Sequence, residues 1–490
     1  MWNETLLAQK KKALEGFAVL SKETIARFIQ SLKEQTEWEL HRINPLRFAK
    51  KNGLTAHEAF DLFLHSGKIG LLDFSYNMIC PACGGIAASH TSLDQIEEKS
   101  FHCSICNLDV PTTLDDQVEV SFSVNPSLKK SDLQPLVDAE TYLNYHISHN
   151  FHKSKELLEF IFANTKGLVV LEPGSAQTIR LDAKNVSAYQ LSSVENNSAV
   201  YLRFDAEGPA EDRIIDLSLL PSGFTPTELH LAPGEYELKV SNRTIARSGF
   251  LLFVPDIERI LEIVKKHPTV VEPFLTAKML LNNQTFRELF RVQQLSNQLN
   301  LNVKSLTILF TDLRGSTEMY DKAGDILAYR LVQEHFRLLA ETVKKFSGAI
   351  VKTMGDAIMA TFSSPSDGMF AALEMMTRID QMNEEFKEHG HEIGLKVGLN
   401  EGSALAVIND ERLDYFGQSV NIAARVQALA SAGEIWVTEP ILSVPGILEE
   451  LNQRGYGYER HETSLKGVGR KATVHKLFKN EGSAKLAAVF

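Results

Sequence analysis

The sequence predicts a multidomain α+β protein in which a helical N-terminal region, a cysteine-bearing segment and an antiparallel β domain precede a C-terminal α/β domain. Three observations carry this. A chain of 490 residues exceeds what one hydrophobic core supports, which favours about three domains. The apolar period changes from helical to strand-like near residue 167 and back again after Pro255. All four cysteines fall in two CxxC pairs. With 44% hydrophobic and 23% charged residues the composition is that of an ordinary globular chain. No apolar run approaches the roughly 18 residues of a membrane span, and MWNETLLAQKKKALEGF has no secretory core, so a cytoplasmic protein without membrane contact is expected. The net charge of −11 argues against nucleic-acid binding by the chain as a whole, because neutralising phosphates takes clustered basic side chains.

Residues 1–75 read as helical, with apolar residues at helical spacing in LLAQKKKALEGFAVL and AHEAFDLFLHSGKIGLLDF. From 76 to 125 the pairs Cys80/Cys83 and Cys103/Cys106 dominate; the 19 residues between them suit the paired knuckles of a zinc ribbon. Four thiolates complete a tetrahedral shell with no open position, so this Zn2+ is expected to be structural, and neither His90 nor His102 is needed as a ligand. Residues 126–166 read as a helical connector. Its His146, His149 and His152 recur every third residue, a spacing that does not stack the outer two closely, so they read as polar-face or packing residues rather than ligands. Short strand-like runs such as GLVVLEP, AVYLRFDA and YELKVSN, broken by turn residues, make 167–255 an antiparallel sandwich-like domain. Residues 256–300 read as a helical linker, including NNQTFRELFRVQQLSNQLN, suited to passing a signal, pairing two chains or simply connecting.

Residues 301–480 alternate strand and helix character. The apolar run Leu306–Phe310 reads as a buried strand that ends at Asp312, ahead of a glycine-containing turn. Tyr329, Val332, Phe336, Leu339, Val343 and Phe346 mark the following helix. AIVKTMGDAIMATF reads as a tight hairpin with Asp356 at its tip. If that hairpin pairs beside the first strand, Asp312 and Asp356 converge, and two carboxylates repel unless a cation sits between them; ordinary turn chemistry is the competing account. In LDYFGQSVNIAARVQALA, Asp414 precedes a glycine turn and Asn421 and Arg425 stand four apart on one helix face, a pairing suited to a polar ligand, although Asn421 also fits a capping role.

FTDLRGST, VKTMGDAIMATF and DYFGQSVNIAARV, in this order and spacing, resemble the catalytic domain of class III nucleotidyl cyclases, the adenylate and guanylate cyclases. The resemblance spans roughly residues 300–480 and implies a ferredoxin-like α/β class III cyclase catalytic domain. It implies that Asp312 and Asp356 hold two Mg2+ or Mn2+ ions, one acting on the ribose 3′-hydroxyl and the other on the triphosphate. It gives the amides of Leu313, Arg314, Gly315 and Ser316 to phosphate oxygens, Asn421 to the ribose, and Arg425 to the charge at the α-phosphate, where a guanidinium fork stays charged and donates several hydrogen bonds. Lys352 and Asp414 match the base-selecting positions. Together they supply the donor and acceptor that adenine needs, which favours ATP over GTP. In SLKGVGRKATVHKLF, Lys466 is the candidate for a triphosphate contact, with Arg470 and Lys471 behind it; solvated loop lysines are the plain alternative. The family's site lies between two catalytic domains, and this chain has one domain carrying every group, so a head-to-tail homodimer is implied. The function expected is an adenylate cyclase making 3′,5′-cyclic AMP and pyrophosphate. The alternatives are a guanylate or relaxed-specificity cyclase, or a non-catalytic nucleotide sensor whose zinc ribbon is a binding module.

Overall fold

The computed structural model describes residues 1–96, 100–205, 214–290, 301–314, 325–385, 393–409, 412–466 and 471–479. The chain forms two compact units, one of Met1–Thr112 with Asp116–Leu275 and one of Thr113–Asp115 with Thr276–Phe490.

In the first unit the helices Glu4–Leu14, Lys22–Glu34, Glu37–Leu40, Pro45–Asn52 and Ala56–Lys68 each start at a side-chain cap, respectively Asn3, Ser21, Thr36, Asn44 and Thr55. The helical character expected to residue 75 stops earlier. The chain turns at Gly70, φ +69°, and enters strand Leu72–Ile79, flanked antiparallel by Ile86–His90 and Val118–Val124. Between residues 165 and 253 a five-stranded and a four-stranded sheet form a sandwich, but the fully antiparallel arrangement expected is corrected: strand Ser198–Arg203 pairs in parallel with Glu228–His230, and Ile214–Leu220 with Glu235–Asn242. Its interior is filled by Leu191, Val200 and Phe250 from one sheet and Leu217, Leu238 and Val240 from the other, as alternating strands require.

In the second unit, elements are numbered along that unit. Helices α1 (Ala277–Leu281) and α2 (Gln284–Leu289) lead in; the rest of the helix expected through residue 300 lies outside the described residues. The core is β1 (Leu301–Arg314), α3 (Asp325–Lys345), β2 (Ala349–Met354), β3 (Ala357–Phe362), α4 (Pro365–Glu385) and β4 (Gly394–Asn409). Its strand order β2-β3-β1-β4, every neighbour antiparallel, is the ferredoxin-like βαββαβ arrangement. Strand β5 (Arg412–Phe416) folds back on the end of β4, and α5 (Gln418–Gln427) follows. The sheet is then extended by β6 (Glu434–Thr438), parallel to β4, and by β7 (Tyr456–Ser464) and β8 (Lys471–Lys479) in the order β4-β6-β8-β7. Leu309 and Leu313 of β1 and Leu395, Val397 and Leu399 of β4 pack with Leu339 of α3 and Met375 and Ile379 of α4. Side chains alternate across a strand, so Asp312, Lys396, Gly398 and Gly402 face the opposite side, where α5 lies. Two glycines admit that helix: a Cβ on Gly398 would stand 2.2 Å from the Gln427 nitrogen, and one on Gly402 would stand 2.5 Å from Ser419 Oγ. Tyr329, expected on the apolar stripe of α3, is exposed, while Val332, Leu339 and Val343 are buried.

Candidate active site

Strand β1 does not stop before Asp312. It runs through Arg314, with Asp312 opposite Lys396, Leu313 opposite Leu395 and Arg314 opposite Gly394, because Leu313 is itself a core residue. The strand end expected at Asp312 is therefore corrected, and Leu313 and Arg314 belong to the ladder rather than to a free loop. Gly315 and Ser316 lie outside the described residues. Lys396 Nζ stands 2.9 Å from Asp312 Oδ2. That cross-strand cation, 84 residues away in sequence, had no local signal by which to find it.

The hairpin forms as the sequence indicates, with Met354 paired to Ala357 and Gly355 at φ +64° between the strands. The β1–β3 register runs from Thr307 opposite Phe362 to Phe310 opposite Met359, and the Ile358 amide donates to Thr311 Oγ1 at 3.1 Å. The ladder stops there; its register continued by two steps points Asp312 toward Ala357, next to the turn that carries Asp356. Asp356 Oδ2 is buried and accepts no hydrogen bond among the described residues. One carboxylate that already attracts an ammonium and another with a buried, unsatisfied oxygen form a hard-oxygen donor set that fits divalent cations. His335 of α3, fully buried, lies near Asp356: burial pushes its pKa down to about 4, only partly offset by the Asp356 carbonyl and charge.

Lys352 on β2 and Asp414 on β5 come together at 2.7 Å, Nζ to Oδ2. Asp414 is buried, and its other oxygen accepts the Tyr415 amide at 2.8 Å. The Lys352 ammonium is more exposed and lies over the Phe416 ring, 5.9 Å from its centroid. A paired donor and acceptor are thus presented side by side, from strands 62 residues apart.

Helix α5 starts at Gly417, φ 140°, and buries Ala423 and Val426, the latter against Val474 and Leu465. Asn421 and Arg425 fall on its exposed side, one turn apart. The Arg425 guanidinium makes no ion pair or hydrogen bond among the described residues, so it is free for an anion. Asn400, buried on β4, donates to the Ser419 carbonyl at 3.0 Å and accepts from Thr438 Oγ1 at 2.9 Å, which ties the first turn of α5 to the sheet. Lys466 and Lys471 are exposed, and Arg470 lies outside the described residues.

In the first unit the four cysteine sulfurs lie within 4.8 Å of one another, Cys80 to Cys106 at 3.5 Å and Cys83 to Cys103 at 3.6 Å. Each CxxC closes a turn, the Gly84 amide donating to the Cys80 carbonyl and the Asn107 amide to the Cys103 carbonyl, and both Gly84 and Asn107 have positive φ. These spacings are far beyond a disulfide and near the roughly 3.8 Å edge of a tetrahedral four-sulfur shell, so the cluster could hold a metal. His102 instead pairs with Asp109. Of the three histidines at period three, His146 ends a helix against Tyr142 and Tyr145, and His152 sits in a strand.

Residues 300–478 match the family model described as the adenylate and guanylate cyclase catalytic domain, and residues 7–288 match one described as a family of unknown function (DUF5939). An adenylate cyclase of Anabaena cylindrica is 28% identical over 152 residues, 28% of this chain and 30% of that protein. Adenylate cyclase 2 of Rhizobium meliloti is 26% identical over 184 residues, 34% of this chain and 48% of that protein. The serine/threonine-protein kinase pkn2 of Myxococcus xanthus is 29% identical over 138 residues, 28% of this chain and 16% of that protein. The chain spans less than half the length of these curated relatives. Among solved structures, the adenylyl cyclase CyaB from P. aeruginosa is 20% identical with a TM-score of 0.33, covering 37% of this chain and 97% of that one. Among the described residues no helix is long and apolar enough to cross a membrane.

Proposed function

We propose that this chain, which belongs over residues 300–478 to the adenylate and guanylate cyclase catalytic domain family and over residues 7–288 to a family of unknown function, converts ATP to 3′,5′-cyclic AMP and pyrophosphate. The observation that carries the choice of base is the Lys352–Asp414 pair. Lys352 donates to the adenine N1 and Asp414 accepts from the 6-amino group; guanine, with the opposite pattern at those atoms, would meet donor with donor.

Asp312 and Asp356 would hold divalent cations, whose charge lowers the pKa of the 3′-hydroxyl and neutralises the triphosphate. Lys396, which pairs with Asp312 at 2.9 Å, would be free to reach phosphate oxygens once Asp312 held a cation. Asn421 orients the ribose, and Arg425 donates to the α-phosphate as its charge rearranges, on a helix whose first turn Asn400 ties to the sheet. Lys466 adds a further cation toward the triphosphate. Arg425 and Asn421 face outward on α5, away from the carboxylates' own ladder, which suits a site completed by a second copy of the chain in a head-to-tail homodimer. The Cys80, Cys83, Cys103 and Cys106 cluster is read as a structural Zn2+ centre.

The test is cyclic nucleotide formation by the purified chain with ATP and with GTP, each with Mg2+ and Mn2+. Cyclic AMP from ATP, lost about 100-fold or more in Asp312→Ala and in Arg425→Ala, is the expected result. Equal turnover in both variants rejects the site.

A further inference from the structure

Two segments of the second unit precede its βαββαβ core in sequence, Thr113–Asp115 and the lead-in that carries α1 and α2, and both are tied to strands that carry site residues. In the turn between α1 and α2, Asn282 Oδ1 accepts the Tyr415 hydroxyl at 3.2 Å, with both residues fully buried. Arg287 on α2 donates from Nε to the Leu281 carbonyl at 2.7 Å and from Nη1 to the Leu413 carbonyl at 3.1 Å, with its guanidinium 5.7 Å from the Tyr415 ring centroid. Gln284 Oε1 accepts the Ile350 amide at 2.9 Å, where the β2–β3 register shifts just before Lys352. Asp414 is thus flanked on both sides by residues held from α1 and α2, and Lys352 follows two residues after a third held position.

The lead-in is itself anchored. Residues Thr113–Asp115, which in sequence separate the two stretches of the first unit, belong to this unit. The Leu114 carbonyl accepts the Lys278 amide at 2.9 Å, and the Leu114 amide donates to the Asn302 carbonyl at 3.3 Å. Asp115 accepts the Lys304 and Ser305 amides at 2.6 and 3.3 Å, inside the register shift of β1, and pairs with Lys278 Nζ at 3.0 Å, both side chains largely buried. A buried pair of this kind, with its carboxylate also taking two amides, holds α1 at a defined place on the sheet.

We infer that Asn282, Gln284 and Arg287 are positioning residues for nucleobase recognition: they hold the Lys352 ammonium and the Asp414 carboxylate at the spacing of a purine edge, so the segment ahead of the catalytic core sets the discrimination between adenine and guanine nucleotides. This rests on the cyclase reading. It differs from a purely stabilising role because the clamp touches the two base-reading strands at residues 350, 413 and 415 and none of the carboxylates opposite. Loosening the clamp therefore shifts base choice before it shifts metal use.

The experiment uses the full chain and the variants Arg287→Ala, Arg287→Lys and Gln284→Ala, each checked by its melting curve, with Gln284→Ala standing in if Arg287→Ala does not fold. Steady-state kcat/KM is measured for ATP and GTP, and affinities for both nucleotides are measured by competition against a fluorescent ATP analogue. The expected result is a fall of about tenfold in the ATP to GTP ratio for Arg287→Ala, mainly through KM, with the Mg2+ and Mn2+ dependence kept and the ratio largely restored in Arg287→Lys. A folded variant whose ATP to GTP ratio matches the wild type in both assays overturns the inference, as does a wild-type chain that binds the two nucleotides equally. A wild-type chain that prefers ATP in binding and forms no cyclic product rejects the cyclase reading alone, and the binding ratio of the variants still decides the inference.

Discussion

Replacing Gly398 by alanine acts on the distance between α5 and the sheet. The main chain at Gly398 is outside the left-handed region, so alanine is tolerated by the backbone itself. The new methyl, however, meets backbone: Gln427 N at 2.2 Å and Gln427 Cα at 2.3 Å, where ordinary contact begins at 3.4 Å. The helix must retreat by 3.4 − 2.2 = 1.2 Å at that point. Arg425 lies two residues before Gln427 on the same helix and moves with it. Overpacking of this kind costs roughly 1–3 kcal/mol of stability, and misplacing a catalytic group by about 1 Å costs about 100-fold in rate. The expected outcome is a folded chain with a lowered melting temperature, kcat for cyclic AMP formation down about 100-fold, and KM for ATP changed much less, because Lys352 and Asp414 sit on β2 and β5 and not on α5. Steady-state product analysis beside thermal melting reads all three. A folded Gly398→Ala chain that keeps wild-type kcat would show that the position of Arg425 is not fixed by this contact or does not matter to turnover.

Asp414→Asn turns an acceptor into a mixed donor and acceptor and removes the partner of Lys352; the ATP to GTP preference in kcat/KM should drop about tenfold or more, and an unmoved ratio would remove both residues from base selection. Stripping metal from the first unit with a chelator, or Cys103→Ser, should release about one zinc per chain and lower the melting temperature sharply, because the knuckle carbonyls of Ser104 and Ile105 are held by Gln190 and that of Cys83 by Lys153; a metal-free chain that melts as the native one does would show the cluster to be four packed thiols. Burial, with repulsion from Arg42 behind it, pushes the pKa of His41 down to about 3 and of His146 and His149 to about 4. The unfolded chain protonates these residues near 6.5 and therefore binds more protons below that pH. Stability of the first unit should be flat above pH 6.5 and fall toward pH 4, by at most about 1.4 kcal/mol per pH unit for each histidine. Urea midpoints measured across that range check the slope, and His146→Phe should make it shallower.

Much of this molecule is legible along the chain because its signals are local. The two CxxC pairs announce a cluster since each knuckle is a short turn closed by its own amides, and Met-Gly-Asp-Ala announces a hairpin since only a residue such as glycine takes the φ of +64° found at Gly355. Asn421 and Arg425 share a face by helical spacing alone. Other features depend on residues far apart in sequence and leave no local trace. Strand β1 runs past Asp312 because Leu313 finds a core made by α3 and α4, so a strand end placed by local pattern falls short. Lys396 reaches Asp312 only when antiparallel register brings β1 and β4 together, and Lys352 reaches Asp414 side chain to side chain although no ladder among the described residues pairs β2 with β5. The strand Leu72–Ile79 was masked by an apolar run that suits a helix equally well. Local sequence sets which residue types are available for chemistry and the turns and helices that present them. Packing sets which of them meet, rests α5 on glycines at a fixed height, and brings a lead-in near residues 282–287 against the base-reading strands while a strap at 113–115 anchors that lead-in to β1. The reason is that hydrogen bonding within a turn is set by a few consecutive residues, whereas register, burial and long-range pairing are set by how whole elements pack.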